Sequence, residues 1–479
     1  MNATIRKTAV TLALLILALM INANVIAVFQ DDELRARDGN RRQLIDEYDQ
    51  QRGSILVGRK AIAKSVPTDE RLRYMREYSD GEVYAPATGY YSVYGATGIE
   101  KAENELLTGN DDRLFVDRLT TLFSGQQPQG GNVILTLNPD AQRAAYEGLA
   151  GQEGAVAAID PQTGAILALA SSPSFDPNLL ASHDPTVVTK NYDRLRKDPQ
   201  DPLLNRSIQQ IYPPGSLFKV VVTAAALTSG DYQPDTEIPG PELFDLPDSS
   251  DTIGNYFDGQ CLDGTVTLTE ALAISCNTAF AKIGLDLGGD AIRAQAERFG
   301  FNEPLSIPLG VAPSVYPNDL DAPQTALSAI GQYDVRATAL QMAMVGAGVA
   351  NDGVVMKPYL VAEEQAPDLS ALSITEPEPL SRAVSSEVAT ELRDMMVNVV
   401  TSGTGQTAAI PGVSVGGKTG TAQDGGRPPH VWFMSFAPAE DPQVAVAVIV
   451  ENGGDLGDEA TGSAVAAPIA KSVMEAVLQ

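Results

Sequence analysis

Ser216 and Lys219 stand three residues apart, immediately after Pro213-Pro214-Gly215. Residues at i and i+3 share one face of a helix, so the lysine amine can lie beside the serine hydroxyl. The prolines cannot continue a helix from upstream, but they suit its entry. The apolar run from Val220 to Leu227 predicts that this helix is buried. Burial penalises the ammonium form and favours the neutral, base-competent amine. Such an amine can take the proton from a serine nucleophile. No other Ser-x-x-Lys pair occurs in the chain. The bland alternative is a solvated lysine on a helix that happens to carry a serine, and two further motifs argue against it.

The first is Ser275-Cys276-Asn277, the chain's one Ser-x-Asn, inside the Ala- and Leu-rich stretch Leu268 to Leu287. A polar triplet in such a helical region needs partners, because burying its groups unpaired is costly. A polar active-site wall would provide them. The second is Gly416-Gly417-Lys418-Thr419-Gly420-Thr421-Ala422. On a strand, Lys418 and Gly420 point to one face and Thr419 and Thr421 to the other. The glycines let a substrate or a neighbouring helix approach the backbone. A phosphate-binding loop is disfavoured: Gly412 to Thr419 has the G-x-x-x-x-G-K-T spacing, but that motif carries its meaning only as a loop opening a helix, and a strand is expected here.

Three sets of elements must position these residues. At 479 residues the chain suggests two or three domains. Its formal net charge of −28 argues against nucleic acid and fits an acidic, soluble surface. The two histidines, His183 and His430, are far apart in sequence, which disfavours both a His-rich metal site and a Ser-His-Asp triad. Arg6 and Lys7 precede an uncharged apolar stretch, Thr8 to Phe29, long enough to cross a bilayer. The basic residues place the short tail in the cytoplasm and everything after the span outside. A cleaved signal peptide is the competing reading. Asp31 to about Arg76 is charged and helix-prone, apart from a turn into a strand at Gln51 to Leu56. Tyr90 to Gly109 predicts a loop running into an acidic helix, and Asp112 to Gln129 a short helix and a linker. Nothing in this first third has catalytic spacing.

From Asn132 the texture changes. Val133–Leu137 predicts a strand and Pro139–Leu149 a helix; Ala155–Ile159 and Ala165–Ala170 predict a hairpin. Val431–Phe436 and Val444–Val450 predict a second strand pair, and Gly462–Gln479 a closing helix. Strands therefore bracket a helical middle, an α+β arrangement with an antiparallel sheet.

Ser-x-x-Lys, Ser-x-Asn and Lys-Thr-Gly, in that order, resemble the signature of penicillin-binding proteins and serine β-lactamases. Arg52-Gly53-Ser54-Ile55 and Gly98-Ile99-Glu100 resemble N-terminal motifs of class B penicillin-binding proteins. Asp160 to Ala168 resembles the opening of their transpeptidase domain, and Ile330-Gly331-Gln332 with Thr338 and Gln341-Met342-Ala343 the segment between their second and third motifs. Size and short pedestal are most similar to the actinobacterial penicillin-binding protein A group. Val57-Gly58-Arg59-Lys60 departs from the Asp-Arg-Asn-Gly that often follows the first pedestal motif.

The resemblance implies a penicillin-binding transpeptidase fold, an antiparallel sheet flanked by helices with an all-helical subdomain. Ahead of it come a cytoplasmic tail (1–7), a transmembrane anchor (8–29) and a non-catalytic, dimerisation-like pedestal (30–150); the transpeptidase domain is 151–479. It implies a plasma-membrane D,D-transpeptidase that cross-links peptidoglycan stem peptides and is acylated by β-lactams. Ser216 would be the nucleophile and Lys219 the base, with Ser275 relaying a proton and Asn277 orienting the donor amide. Lys418, Thr419 and Thr421 would hold the terminal carboxylate, with Gly420 between them. The backbone N–H groups of Ser216 and Thr421 would form the oxyanion hole. No metal or organic cofactor is implied, and a separate glycosyltransferase partner is, with roles in division or cell shape. Cys261 and Cys276 can pair outside the membrane, where the bridge would contribute about 3 kcal/mol; the alternative is two unpaired, partly buried thiols. Rival readings are a D,D-carboxypeptidase, a β-lactamase, and a non-catalytic scaffold or β-lactam sensor.

Overall fold

The computed structural model describes residues 3–29, 47–115, 127, 129–149 and 151–479. Its first element, α1 (Ala3–Phe29), contains an apolar span, Thr4–Val25, with mean hydropathy 2.1 and none of its surface buried by the rest of the chain. The helix fits a single-pass membrane anchor, and its helical backbone begins at Ala3. The helix-prone stretch from 31 to 46 lies outside the described residues, as does most of the linker expected before Gln129.

The expectation of helix out to Arg76 is overturned. β1 (Ile55–Val57), β2 (Lys60–Pro67) and β3 (Tyr74–Tyr78) form an antiparallel meander. Gly58, at φ +57°, makes the tight turn between β1 and β2. Ile62 and Ala63 are buried, while Lys64 sits opposite Glu77 across the pair with Nζ 3.4 Å from the carboxylate. Cross-strand pairing and burial have outweighed a local composition that favours helix. The expected acidic helix after Tyr90 is broken into two short pieces, Gly98–Ala102 and Asn104–Thr108.

The remaining frame is β4 (Asn132–Leu135), α2 (Pro139–Leu149), β5 (Gly154–Ile159), β6 (Ile166–Ser172), α3 (Lys219–Ser229), α4 (Leu268–Ile274), α5 (Asn277–Leu287), α6 (Ala339–Ala350), β7 (Val361–Gln365), β8 (Ala371–Ile374), β9 (Gly416–Asp424), β10 (Arg427–Ala437), β11 (Val444–Val450) and α7 (Ala467–Leu478). Five of these strands make the central sheet in the order β9-β10-β11-β5-β6, every neighbour antiparallel. Its period-two alternation feeds two cores. Val444, Val446, Val448 and Val450 face α2 and α7, whereas Ala445, Ala447 and Ile449 face α6. Burial on both faces explains why β11 reads as an unbroken apolar run.

The pedestal sheet has six strands, β8-β7-β4-β1-β2-β3, with β1 and β4 parallel. Two of its strands, β7 and β8, come from the far side of residue 150, and α2 from the near side packs on the central sheet. Backbone pairing therefore crosses the expected boundary in both directions.

The pedestal interior holds an ion cluster. Glu100 is fully buried and accepts from Arg52 Nε at 2.7 Å, Arg76 Nε at 2.6 Å and the Tyr78 hydroxyl at 3.0 Å. Arg76 also donates to Gly53 O at 2.6 Å, and the Arg52 guanidinium lies 4.3 Å over the Tyr91 ring. Burial alone would raise the Glu100 carboxyl, but the Arg76 and Arg52 guanidinium groups outweigh it and hold it below the ordinary glutamate range. The two N-terminal motifs, at Arg52 and Glu100, thus meet in one ion pair.

Candidate active site

Ser216 lies in a 3-10 turn, Gly215–Phe218, which runs directly into α3 with Lys219 as its first residue. In a 3-10 turn residues i and i+3 eclipse each other, so the tighter turn stacks the serine over the lysine more closely than an α-helix would. Gly215 has φ +52°, and a Cβ there would fall 2.6 Å from Thr421 O. The backbone of this turn is thereby pressed against β9. Gly215 N–H donates to Gly331 O at 3.0 Å, and Trp432 Nε1 donates to Pro213 O at 3.1 Å. Ser216 is half-buried, while Lys219 is completely enclosed.

The second motif does not sit inside one helix, as its Ala-rich setting suggested. α4 stops at Ile274, Ser275 takes a left-handed conformation (φ +63°), and α5 restarts at Asn277. A non-glycine residue in that region costs roughly 1–3 kcal/mol. Here the turn aims the Ser275 carbonyl and hydroxyl, with the Asn277 amide, at one point. Lys219 Nζ occupies it, donating to Ser275 O at 2.7 Å, Asn277 Oδ1 at 2.7 Å and Ser275 Oγ at 3.2 Å. Lys418 reaches the same hydroxyl from β9, its Nζ 2.9 Å from Ser275 Oγ and 3.0 Å from Thr419 O.

Two lysines thus converge on one serine oxygen, and none of the side chains in these bonds is a carboxylate. Burial drives the Lys219 amine well below the ordinary lysine range, and the charge of Lys418 pushes it the same way. Burial also lowers Lys418, to about 7. The Ser275 hydroxyl has one proton to give and lone pairs to receive, so it can donate to a neutral amine while accepting from a charged one. That is the wiring of a proton relay. In this structure no hydrogen bond joins Ser216 Oγ to Lys219; catalytic bonds of this kind commonly tighten only when substrate is bound.

β9 carries the third motif beside these groups. Thr419 Oγ1 is 2.7 Å from the hydroxyl of Thr404, and Gly420 lies opposite Trp432 with Leu217 and Pro214 close on its open side. Cys261 and Cys276 form a disulfide, 15 residues apart in sequence, which joins the loop before α4 to the middle of the second motif. The structure thus brings Lys219, Ser275, Asn277 and Lys418 into one hydrogen-bonded cluster, sets Gly215 beside Ser216 against Thr421 O, and places the buried Cys261–Cys276 bridge next to Asn277.

Side chains touching those residues that were not singled out include Thr404, Trp432 and Asn255. Trp432 had a usable signal, since the hairpin register of two apolar strands sets a large ring opposite Gly420. Asn255 had none, because it lies in an irregular loop 22 residues before the helix it meets.

A model of the penicillin-binding protein transpeptidase domain matches residues 154–475, and one of the penicillin-binding protein A dimerisation domain matches residues 52–133. The chain belongs to the penicillin-binding protein transpeptidase family. Within it, the chain is 48% identical over its whole length to the peptidoglycan D,D-transpeptidase PbpA of Mycolicibacterium smegmatis, covering 99% of that protein. It is 47% identical to PbpA of Mycobacterium tuberculosis, with the same coverage. The structure of penicillin-binding protein A from M. tuberculosis as a ceftriaxone acyl-enzyme complex superposes with a TM-score of 0.88 at 46% identity, covering 91% of this chain and 100% of that one.

Proposed function

We propose that this chain is a peptidoglycan D,D-transpeptidase that works through an ester at Ser216. The observation that carries the reading is the enclosure of Lys219 among Ser275 O, Ser275 Oγ and Asn277 Oδ1, with Lys418 as the nearby charge. Burial and the Lys418 charge hold this amine well below the ordinary lysine range, which brings its neutral, basic form within reach. Ser216 Oγ attacks the carbonyl between the two terminal D-alanines of a donor stem peptide while Lys219 Nζ takes its proton. That proton passes through Ser275 to the departing D-alanine amine. Lys418 and the hydroxyls of Thr419 and Thr421 hold the donor's terminal carboxylate. The N–H groups of Ser216 and Thr421 stabilise the oxyanion, an arrangement worth about 3–4 kcal/mol of barrier. The amine of a second stem peptide then takes the acyl group and restores Ser216.

The anchor helix, with Arg6 and Lys7 at its start, supports a cytoplasmic N-terminus and an extracytoplasmic catalytic domain. The Cys261–Cys276 bridge supports the same side, since disulfides persist in oxidising compartments. A separate glycosyltransferase would supply the glycan strands.

Incubating the full-length protein in detergent with a D-Ala-D-Ala stem peptide and an excess of a D-amino acid tests the acceptor. The expected result is one D-alanine released for each aminolysis product. Hydrolysis in place of aminolysis would make the enzyme a carboxypeptidase, and release of no D-alanine would leave the scaffold reading.

A further inference from the structure

α5 carries Asn277 at its first position, yet its own N-cap residue, Cys276, makes no capping bond because its sulfur is tied into the disulfide. The first N–H groups of a helix need an acceptor from somewhere. Asn255 provides it from a different segment. Its Oδ1 accepts from Asn277 N at 3.0 Å and from Thr278 N at 3.3 Å. Its Nδ2 donates to Pro241 O at 3.2 Å and Gly259 O at 3.1 Å, so both ends of the amide are spent and its orientation is set. The preceding residue completes the arrangement, since Asn277 Nδ2 donates to Gly254 O at 2.9 Å. That bond turns the Asn277 amide so that Oδ1, not the NH₂, faces Lys219 Nζ at 2.7 Å.

We propose that Asn255 is a positioning residue for acylation. It caps α5 in place of Cys276, holds Gly254 O against the Asn277 amide, and so keeps an acceptor on Lys219. The inference rests on the transpeptidase reading of the site. With Asn255 removed, two N–H groups at the start of α5 lose their acceptor, and nothing keeps Gly254 O in place to orient the Asn277 amide. Rotated by half a turn, that amide would present N–H groups to Lys219.

The other groups around Lys219 do not substitute for it. From β9 comes the cation Lys418, from the turn between α4 and α5 the Ser275 carbonyl and hydroxyl, and from α5 itself the Phe280 ring, 5.4 Å from Nζ. Losing an acceptor destabilises the ammonium form further, so the acid limb of the acylation profile moves to lower pH. The rate on the plateau falls as well, because the base and the donor amide are no longer held in register. A misplacement of this size costs roughly 10- to 100-fold.

The test compares wild type, Asn255→Ala and Asn255→Asp as full-length protein in detergent. The readouts are the rate and binding constants for acylation by a fluorescent penicillin, normalised to active molecules, from about pH 5 to about pH 9. Asn255→Asp keeps the acceptor at the start of α5, where negative charge is favoured, and loses the two donors. The expected result for Asn255→Ala is a rate constant lowered roughly 10- to 100-fold, little change in the binding constant, and an acid limb at lower pH. Asn255→Asp should recover most of the rate and the wild-type limb. Should Asn255→Ala fail to fold, Asn255→Ser, whose side chain is too short to cap α5 from this position, is read by the same criteria. An unchanged rate and limb per active molecule would overturn the proposal. So would equal impairment in both variants with the limb unmoved, which is the pattern of a purely structural role. Absence of acylation in the wild type would instead refute the reading of the site itself.

Discussion

Replacing Lys219 by Arg will reduce acylation of Ser216 by about 10³- to 10⁴-fold, the scale of a lost general base. The substitution keeps a cation of similar reach but removes the function, because a guanidinium does not give up its proton in a protein. Lys219 is fully enclosed, and burial with the Lys418 charge holds its amine well below the ordinary lysine range. In the wild type, therefore, acylation is expected to fall as acid protonates Lys219. In Lys219→Arg no pH should restore it. Stopped-flow acylation by a chromogenic cephalosporin across pH checks both statements. A variant that kept wild-type rates would show that Lys219 is only a structural hydrogen-bond donor to Ser275 and Asn277.

Replacing Glu100 by Gln will destabilise the pedestal by about 3–5 kcal/mol, the range for a buried ion pair that loses one partner. The carboxylate satisfies Arg52, Arg76 and Tyr78 together, with all three groups enclosed. An amide would turn an N–H₂ toward one guanidinium and leave two cations facing each other without a counter-charge. A loss of that size is a large part of the 5–15 kcal/mol that typically holds a domain together. Limited proteolysis read by mass spectrometry should show early cleavage between residues 52 and 133 in the variant. One face of the central sheet shares a continuous core with the pedestal, whereas the other packs against α2 and α7 without pedestal residues, so penicillin acylation should fall only in part. Proteolysis indistinguishable from wild type would mean that the strand pairing, not the ion cluster, sets pedestal stability.

Much of the site could be read from the sequence, for a physical reason. Ser216 and Lys219 are close in the chain because a single turn must present both, and Lys418 to Thr421 because one strand must line the cleft. Chemistry that depends on neighbours along the chain leaves a spacing that can be recognised. The central sheet could be read for a similar reason: strands buried on both faces, such as Val444–Val450, have no polar positions to confuse the pattern.

What could not be read depends on partners distant in sequence. The charged segment around Lys60 to Arg76 looks helical until its strands pair and Arg76 turns inward to Glu100. The Ala-rich run through Ser275 looks like one helix, because a single left-handed residue has no compositional mark when it is not glycine. The hairpin Val361–Ile374 joins the pedestal sheet from the other side of the chain, a choice made by the exposed edge of β4 and not by its own residues. Asn255 is the extreme case, an ordinary loop asparagine until α5 is seen to need a cap.

The central claim is that Ser216 is the acylated residue. Intact and peptide mass analysis of the full-length protein after exposure to penicillin tests it directly, with Ser216→Ala alongside. The account predicts one penicillin per wild-type molecule, held on the peptide that contains Ser216 and lost only slowly, and no adduct on Ser216→Ala. An adduct on another residue, or equal labelling of Ser216→Ala, would contradict it.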